Sequence, residues 1–260
     1  METVTHRGRE TAYRLAGRDD AEAAVLYVHG SGATHRVWGG QYGPDGPAHP
    51  AVALDLSGHG DSADVDAEPG ADALEAYARD AKAVAEATGA RVLAGNSLGG
   101  AVCLHVAIET GFDPTALVLA GTGARLTVGG DLRTWLAEDF ERAVAALHEP
   151  DRLFHDPDPR TVERSERAMR ETGQAVTRRD FLTCHRFDVR DRLGELAAAT
   201  LAVVGEHDRL TPPSSHEYLA ERTGGEYAEV AEAAHLAMVE RPDAFNRTVR
   251  AFLGGTGDPE

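Results

Sequence analysis

Lysine is nearly absent from this 260-residue chain: Lys82 is the only one, and the other 25 of its 26 basic residues are arginine. A phosphate-binding P-loop needs Gly-Lys-Ser/Thr, and Lys82 is followed by Ala83, so that loop is excluded. A lysine Schiff-base enzyme would have to use Lys82, which stands among the alternating alanines and acidic residues of a surface-type helix. Cysteine is almost as scarce, and Cys103 and Cys184 cannot staple a secreted disulfide scaffold. No apolar run approaches the roughly 18 residues of a membrane helix. The start, Met1 to Arg7, has no apolar signal-peptide core. The expectation is a soluble cytoplasmic protein that does not engage membranes. No repeat with a period of roughly 20 to 50 residues is visible, which excludes a solenoid.

Acidic side chains are abundant instead: 43 against 26 basic ones give a formal net charge of −17. Such a surface repels phosphate, so nucleic acid is not an expected partner. The balance of arginine over lysine fits a salt-loving or GC-rich origin, and the first of these predicts a fold stabilised by molar salt. At 42% apolar residues the chain is long enough to bury a sizeable core, in one or two domains.

Thr3 to Leu15 reads as a hairpin turning at Gly8. Ala24–Val28, Ala51–Leu54, Arg91–Ala94, Ala116–Leu119, Leu201–Val204 and Glu226–Val230 read as strands. Ala73–Thr88, Leu98–Thr110 and Ala237–Leu253 read as helices, the last interrupted at Pro242. Short apolar strands alternating with helices predict an α/β fold with a mainly parallel sheet covered on both faces. From about Leu126 to Leu196 no strand is convincing. That stretch is expected to be a helical cap inserted between two late strands, with residues 1–125 and 197–260 forming the core domain and 126–196 the cap.

In such sheets ligands bind beyond the carboxyl ends of the strands. There, Gly95-Asn96-Ser97-Leu98-Gly99 fits Gly-x-Ser-x-Gly between a strand and a helix. The sharp turn needs tiny neighbours, lifts the Ser97 hydroxyl out of the sheet and sets it at a helix N-terminus, where a developing negative charge is favoured. A serine hydroxyl needs a base oriented by a third group, in the order Ser, acid, His on this fold. Asp208, in the loop after Leu201–Val204, is the expected acid; Glu206 is its rival, closer to the strand end. His235, after the last strand, is the expected base. The backbone N–H groups of Leu98 and of Ser31, in the loop His29-Gly30-Ser31-Gly32, are the expected oxyanion donors.

These segments, together with Trp38 and with Asp55-Leu56-Ser57-Gly58-His59-Gly60-Asp61-Ser62, resemble the alpha/beta-hydrolase family across nearly the whole chain. The resemblance implies Ser97 as nucleophile, His235 as base and Asp208 as its orienting acid, with a cap that shapes the pocket. The implied activity is cofactor-independent hydrolysis of a small-molecule carboxylic ester. Carbon–carbon bond hydrolases with a similar nucleophile motif carry an aromatic residue after the histidine, where this chain has Leu236. That reading, a lyase of the same fold and a non-turnover ligand receptor stay open as alternatives. No cofactor or metal is expected. Gly58 to Ala63 matches a loose dinucleotide pattern without an immediately following helix. Asp64 to Glu68 meets Pro69 where a calcium loop requires glycine, and no Cys or His spacing suggests zinc. Of the cap's apolar residues Leu132, Trp135, Phe140, Leu147, Phe154, Met169, Phe181 and Phe187, most are expected to be helix core rather than pocket wall. Oligomeric state and natural substrate are not legible.

Overall fold

Apolar runs of four to seven residues become the central strands of an eight-stranded sheet in the computed structural model, which describes residues 1–17, 25–48 and 50–255. β1 (Glu2–His6) and β2 (Arg9–Ala16) form the expected hairpin. Arg7 and Gly8 both take positive φ, which matches the twist of a two-residue hairpin turn. β3 (Val25–Val28), β4 (Ala51–Leu54), β5 (Val92–Asn96), β6 (Ala116–Ala120), β7 (Ala199–Gly205) and β8 (Glu226–Val230) follow in the chain. Ala24, read as the first residue of β3, lies outside the described residues. The spatial order is β1-β2-β4-β3-β5-β6-β7-β8, with only the β1–β2 and β2–β4 pairs antiparallel.

Side chains alternate across the sheet and build two cores. Leu26, Val28, Leu93, Leu117 and Leu119 enter one; Val25, Tyr27, Ala94, Val118 and Val203 enter the other. The helices are α1 (Gly39–Tyr42) after β3, α2 (Ala71–Thr88) after β4 and α3 (Leu98–Glu109) after β5. Between β6 and β7 come α4 (Gly130–Glu138), α5 (Phe140–Leu147), α6 (Pro159–Thr172) and α7 (Gln174–Arg186). α8 (Pro213–Thr223) joins β7 to β8, and α9 (Ala237–Glu240) and α10 (Pro242–Gly255) end the described chain, parted at Arg241 just before the proline. α2, α3 and α8 pack on the first face; α10 packs on the second through Phe245, Val249 and Phe252, with Trp38 beside Tyr27 at 5.0 Å between ring centroids.

The insertion between β6 and β7 is helical, as expected, apart from one isolated bridge between Arg125 and Asp188. Its Leu126, Val128, Cys184 and Phe187 share a buried cluster with α2 and α3, so these parts of it are packed into the first core. Among the described residues no helix is long and apolar enough to cross a membrane.

Candidate active site

The turn between β5 and α3 is set by what its neighbours lack. A Cβ on Gly95 would run into the backbone of Gly99 and Gly100, and one on Gly99 into the Val28 carbonyl. With those side chains absent, β5 and α3 approach closely enough to force Ser97 to φ 54° and ψ −115°. A non-glycine residue held there costs about 1–3 kcal/mol and persists only because its surroundings over-determine it. The brace is visible: Ser97 N–H donates to the Ala120 carbonyl at 3.0 Å, the Thr122 hydroxyl donates to the Ser97 carbonyl at 2.9 Å, and Asn96 Nδ2 donates to the Ala120 and His235 carbonyls at 3.3 Å each. Gly95→Ala is therefore expected to destabilise the fold by about 1–3 kcal/mol, as overpacking does. Urea unfolding checks it; a midpoint equal to that of the wild type would contradict the tight approach of strand and helix.

His235 and Asp208 are brought together, from the loops after β8 and β7. His235 Nδ1–H donates to Asp208 Oδ2 at 2.9 Å, and both side chains are buried. Asp208 also accepts the amides of Leu210 and Thr211, at 2.8 and 2.9 Å, and the Thr211 hydroxyl at 2.8 Å. Burial alone would raise the Asp208 pKa; the adjacent imidazole and the Thr211 donors outweigh it and hold the carboxyl below its ordinary range. Glu206, the rival acid, is exposed, and its carboxylate accepts the Glu232 amide instead. Beneath this pair His216 Nε2 accepts the Thr122 amide at 2.8 Å, and burial lowers its pKa to about 4, which keeps it neutral.

Ser97 and His235 line one cavity of about 920 Å³, and Ser31 lines it too. The Ser97 hydroxyl makes no hydrogen bond among the described residues, to His235 or to any other group. Leu98 is the first residue of α3, so its amide has no carbonyl one turn earlier in the helix. The cap's large side chains serve both the core and the cavity. Leu147, Phe154, Met169 and Phe187 are buried in the hydrophobic clusters and Leu132, Phe140 and Phe181 pack against them, as expected of helix core, while all of the eight except Phe140 and Phe187 also line the cavity. Helical periodicity marks a buried face but does not tell core from cavity, because both faces are apolar.

Asp180, on α7, went unread in the sequence. It is fully buried and touches both the core and the loop that carries Ser31. Its Oδ2 accepts the Gly32 amide at 3.1 Å and lies 2.9 Å from His59 Nε2; its Oδ1 accepts the Tyr77 hydroxyl at 2.7 Å. Burial opposes charge on both partners. Their mutual attraction prevails, holding Asp180 below its ordinary pKa and His59 above its own. A signal was present: Thr177, Asp180 and Cys184 fall on one helix face at helical spacing, with Thr183 beside them, where a core-facing stripe would be apolar. His29 closes the same cluster. Its Nδ1–H donates to the Gly30 carbonyl at 2.8 Å, its Nε2 accepts the Leu56 amide at 3.0 Å, and burial lowers its pKa to about 4.

Residues 25–248 match the family model described as the alpha/beta hydrolase family. The chain is 30% identical over 259 residues to a pimeloyl-[acyl-carrier protein] methyl ester esterase of Neisseria meningitidis serogroup A, covering 92% of this chain and 79% of that protein. It is 23% identical to 3-oxoadipate enol-lactonase 1 of Acinetobacter baylyi, over 96% of each. Among solved structures a thermophilic esterase superposes with a TM-score of 0.86 at 29% identity, over 98% of both chains.

Proposed function

The chain belongs to the alpha/beta hydrolase family, and from that membership and its site we propose that it hydrolyses a small-molecule carboxylic ester or lactone through an acyl-enzyme on Ser97. The observation that carries this reading is the opening of Ser97, from its strained turn, and of the Asp208-bound His235 into one cavity. The core that supplies these groups is residues 1–125 and 197–260, and 126–196 is the cap that roofs them.

Ser97 Oγ attacks the carbonyl carbon while His235 Nε2, the ring nitrogen not engaged by Asp208, takes the hydroxyl proton. The amides of Ser31 and Leu98 hold the oxyanion that forms. The imidazolium is stabilised by Asp208 and gives its proton to the leaving alkoxide. Water, deprotonated by the same nitrogen, then releases the acid. Leu236 lines the cavity where carbon–carbon hydrolases of this fold carry an aromatic ring, which favours ester chemistry.

The cavity also suggests what the substrate carries. Its walls are largely apolar; five arginines line it against three carboxylates, Asp131, Glu149 and Glu171, and Arg36, Arg152 and Arg164 make no ion pair among the described residues. They offer countercharge to an acid group remote from the ester. Two experiments test these points. Stopped-flow hydrolysis of a p-nitrophenyl ester is expected to show a burst of one p-nitrophenolate per chain followed by many turnovers; a single slow turnover would favour a receptor. Monomethyl esters of dicarboxylic acids are expected to show a lower KM than neutral methyl esters of equal length, with the advantage lost in Arg152→Ala/Arg164→Ala. An equal KM for both series would remove the charge argument and leave the acyl-enzyme reading standing.

A further inference from the structure

Outside the cavity, three loops converge on a second cluster of chemistry-bearing side chains. Asp151 and His155 come from the connection between α5 and α6, Glu206 and His207 from the loop after β7, and Glu232 from the loop after β8. His207 immediately precedes Asp208, and Glu232 lies three residues before His235. We propose that His155, His207, Glu206 and Glu232 bind one divalent transition-metal ion of the zinc type, with Asp151 orienting His155.

The donor set points to that class of ion. His155 Nδ1–H donates to Asp151 Oδ1 at 2.7 Å, which leaves the Nε2 lone pair as the ligand, 3.9 Å from Glu232 Oε2. A carboxylate behind a ligating imidazole is the usual outer-shell arrangement in zinc sites, fixing the tautomer and the ring. His207 Nε2 lies 3.8 Å from Glu206 Oε2, and the two imidazole rings stack at 3.7 Å with 17° between planes. Ligand atoms of Glu206, His207 and Glu232 fall within 4.8 Å of one another, as do those of Asp151, His155 and His207. Zinc bonds of about 2.0–2.2 Å put neighbouring ligands roughly 3.3–3.5 Å apart in a tetrahedron. Closing the site therefore draws the ligand atoms together by side-chain rotation and turns the two stacked imidazoles out of parallel, so that both ring planes meet at the ion. The four ligand side chains are 27% to 67% exposed and have room for it. Two imidazoles favour zinc, nickel or copper over calcium or magnesium, which take oxygen ligands.

Charge and backbone agree with this. Glu206 and Glu232 have no arginine or lysine partner among the described residues, whereas Asp151 Oδ2 is engaged by Arg209 at 2.8 Å. Asp151 is thus neutralised and suited to the outer shell, and the two glutamates, of which Glu206 Oε2 accepts the Glu232 amide at 3.2 Å and so is already held beside it, are left to meet the ion. The loops are already joined through their main chains: His207 N–H donates to the Ala233 carbonyl at 2.9 Å, Arg209 N–H to Asp151 at 3.2 Å and Leu236 N–H to Leu153 at 2.9 Å. The ion would therefore fasten the cap's connecting segment to the two loops that carry Asp208 and His235. Sequence spacing hides such a site, because no two of its three loops are neighbours in the chain.

Isothermal titration of the chelator-treated full chain with zinc chloride tests the site. One ion per chain is expected, with affinity at least about tenfold weaker in His155→Ala and in His207→Ala, and about 10- to 100-fold weaker in Asp151→Asn. Cobalt(II) should give the visible bands of a tetrahedral site in the wild type and lose them in the double histidine variant. Zinc should raise the melting temperature of the wild type only. The histidines are partly exposed, and metal-free melting curves confirm that the variants fold. No saturable zinc binding by the wild type would overturn the proposal. So would equal affinity in the double variant, or binding lost in His235→Ala but kept in His155→Ala, which would put the ion in the hydrolytic site.

Discussion

Replacing Ser97 with alanine is expected to lower kcat for ester hydrolysis by about 10⁴-fold or more, with KM little changed. The hydroxyl makes no hydrogen bond among the described residues, so removing it breaks no hydrogen bond there. On the acyl-enzyme reading its contribution is the covalent bond that forms in the transition state, and the cavity survives its loss. Alanine at φ 54° inherits the strained turn, so stability should stay close to that of the wild type. His235→Ala should cost a similar factor, and the double variant little more than either single one, because nucleophile and base act as a unit. Initial rates on a p-nitrophenyl ester check this. Near-normal turnover by purified Ser97→Ala would remove the assignment of the nucleophile, and additive losses would mean that the two residues act separately.

Replacing Asp180 with alanine is expected to cost about 3–5 kcal/mol of stability, the range for breaking a buried ion pair by removing one partner. For a chain of this size that lowers the melting temperature on the order of 10 °C. The loss would take the acceptor from His59 Nε2 and from the Tyr77 hydroxyl, both fully buried, leaving Tyr77 only the Arg179 donor and His59 only the Ser57 carbonyl, and free the Gly32 amide beside Ser31. Asp180→Asn should lose less. The pH dependence has a definite sign. The Asp180 pKa is depressed in the fold, so its stabilisation is present above the ordinary aspartate value of about 3.9 and disappears as pH falls through the lower folded value. The His59 pKa is raised, so its stabilisation is complete below the ordinary histidine value of about 6.5 and is lost as pH rises through the higher folded value. The gap between wild type and Asp180→Asn should therefore be widest from about pH 4 to 6.5 and narrow on the alkaline side. Urea unfolding across that range measures it; a gap that widens steadily toward pH 9 would show that the pair is not ionised.

The parts of this protein that could be read from its sequence are those whose physics is local. A four-residue apolar run such as Ala51–Leu54 has few alternatives to a buried strand, and the glycines around Ser97 mark a tight turn before any contact is known. The meeting of Asp208 with His235 was foreshadowed because each follows a parallel strand, and the loops at the carboxyl ends of neighbouring strands lie together. Asp180 could not be read, since its partners lie 103 and 121 residues away on Tyr77 and His59 and no short motif joins them. The share of the cap's large side chains that also line the cavity was hidden for a related reason. Trp135 and Phe181 look alike in sequence whether they fill a core or line a space, and only the packing of four helices over the sheet decides. The cluster around His155 and His207 was invisible for the same reason as Asp180. The net charge of −17, prominent at first sight, plays little part in the proposed hydrolytic chemistry beyond Asp208, and its effect on stability in salt is a separate question.

The central claim is that Ser97 becomes covalently acylated during turnover, and mass spectrometry of the fluorophosphonate-treated full chain tests it most directly. The expected result is one adduct per chain, on the peptide containing Gly95-Asn96-Ser97-Leu98-Gly99, formed in step with loss of esterase activity, absent in Ser97→Ala and slowed in His235→Ala. Full loss of activity with the adduct on another residue, or undiminished labelling of Ser97→Ala, would contradict it.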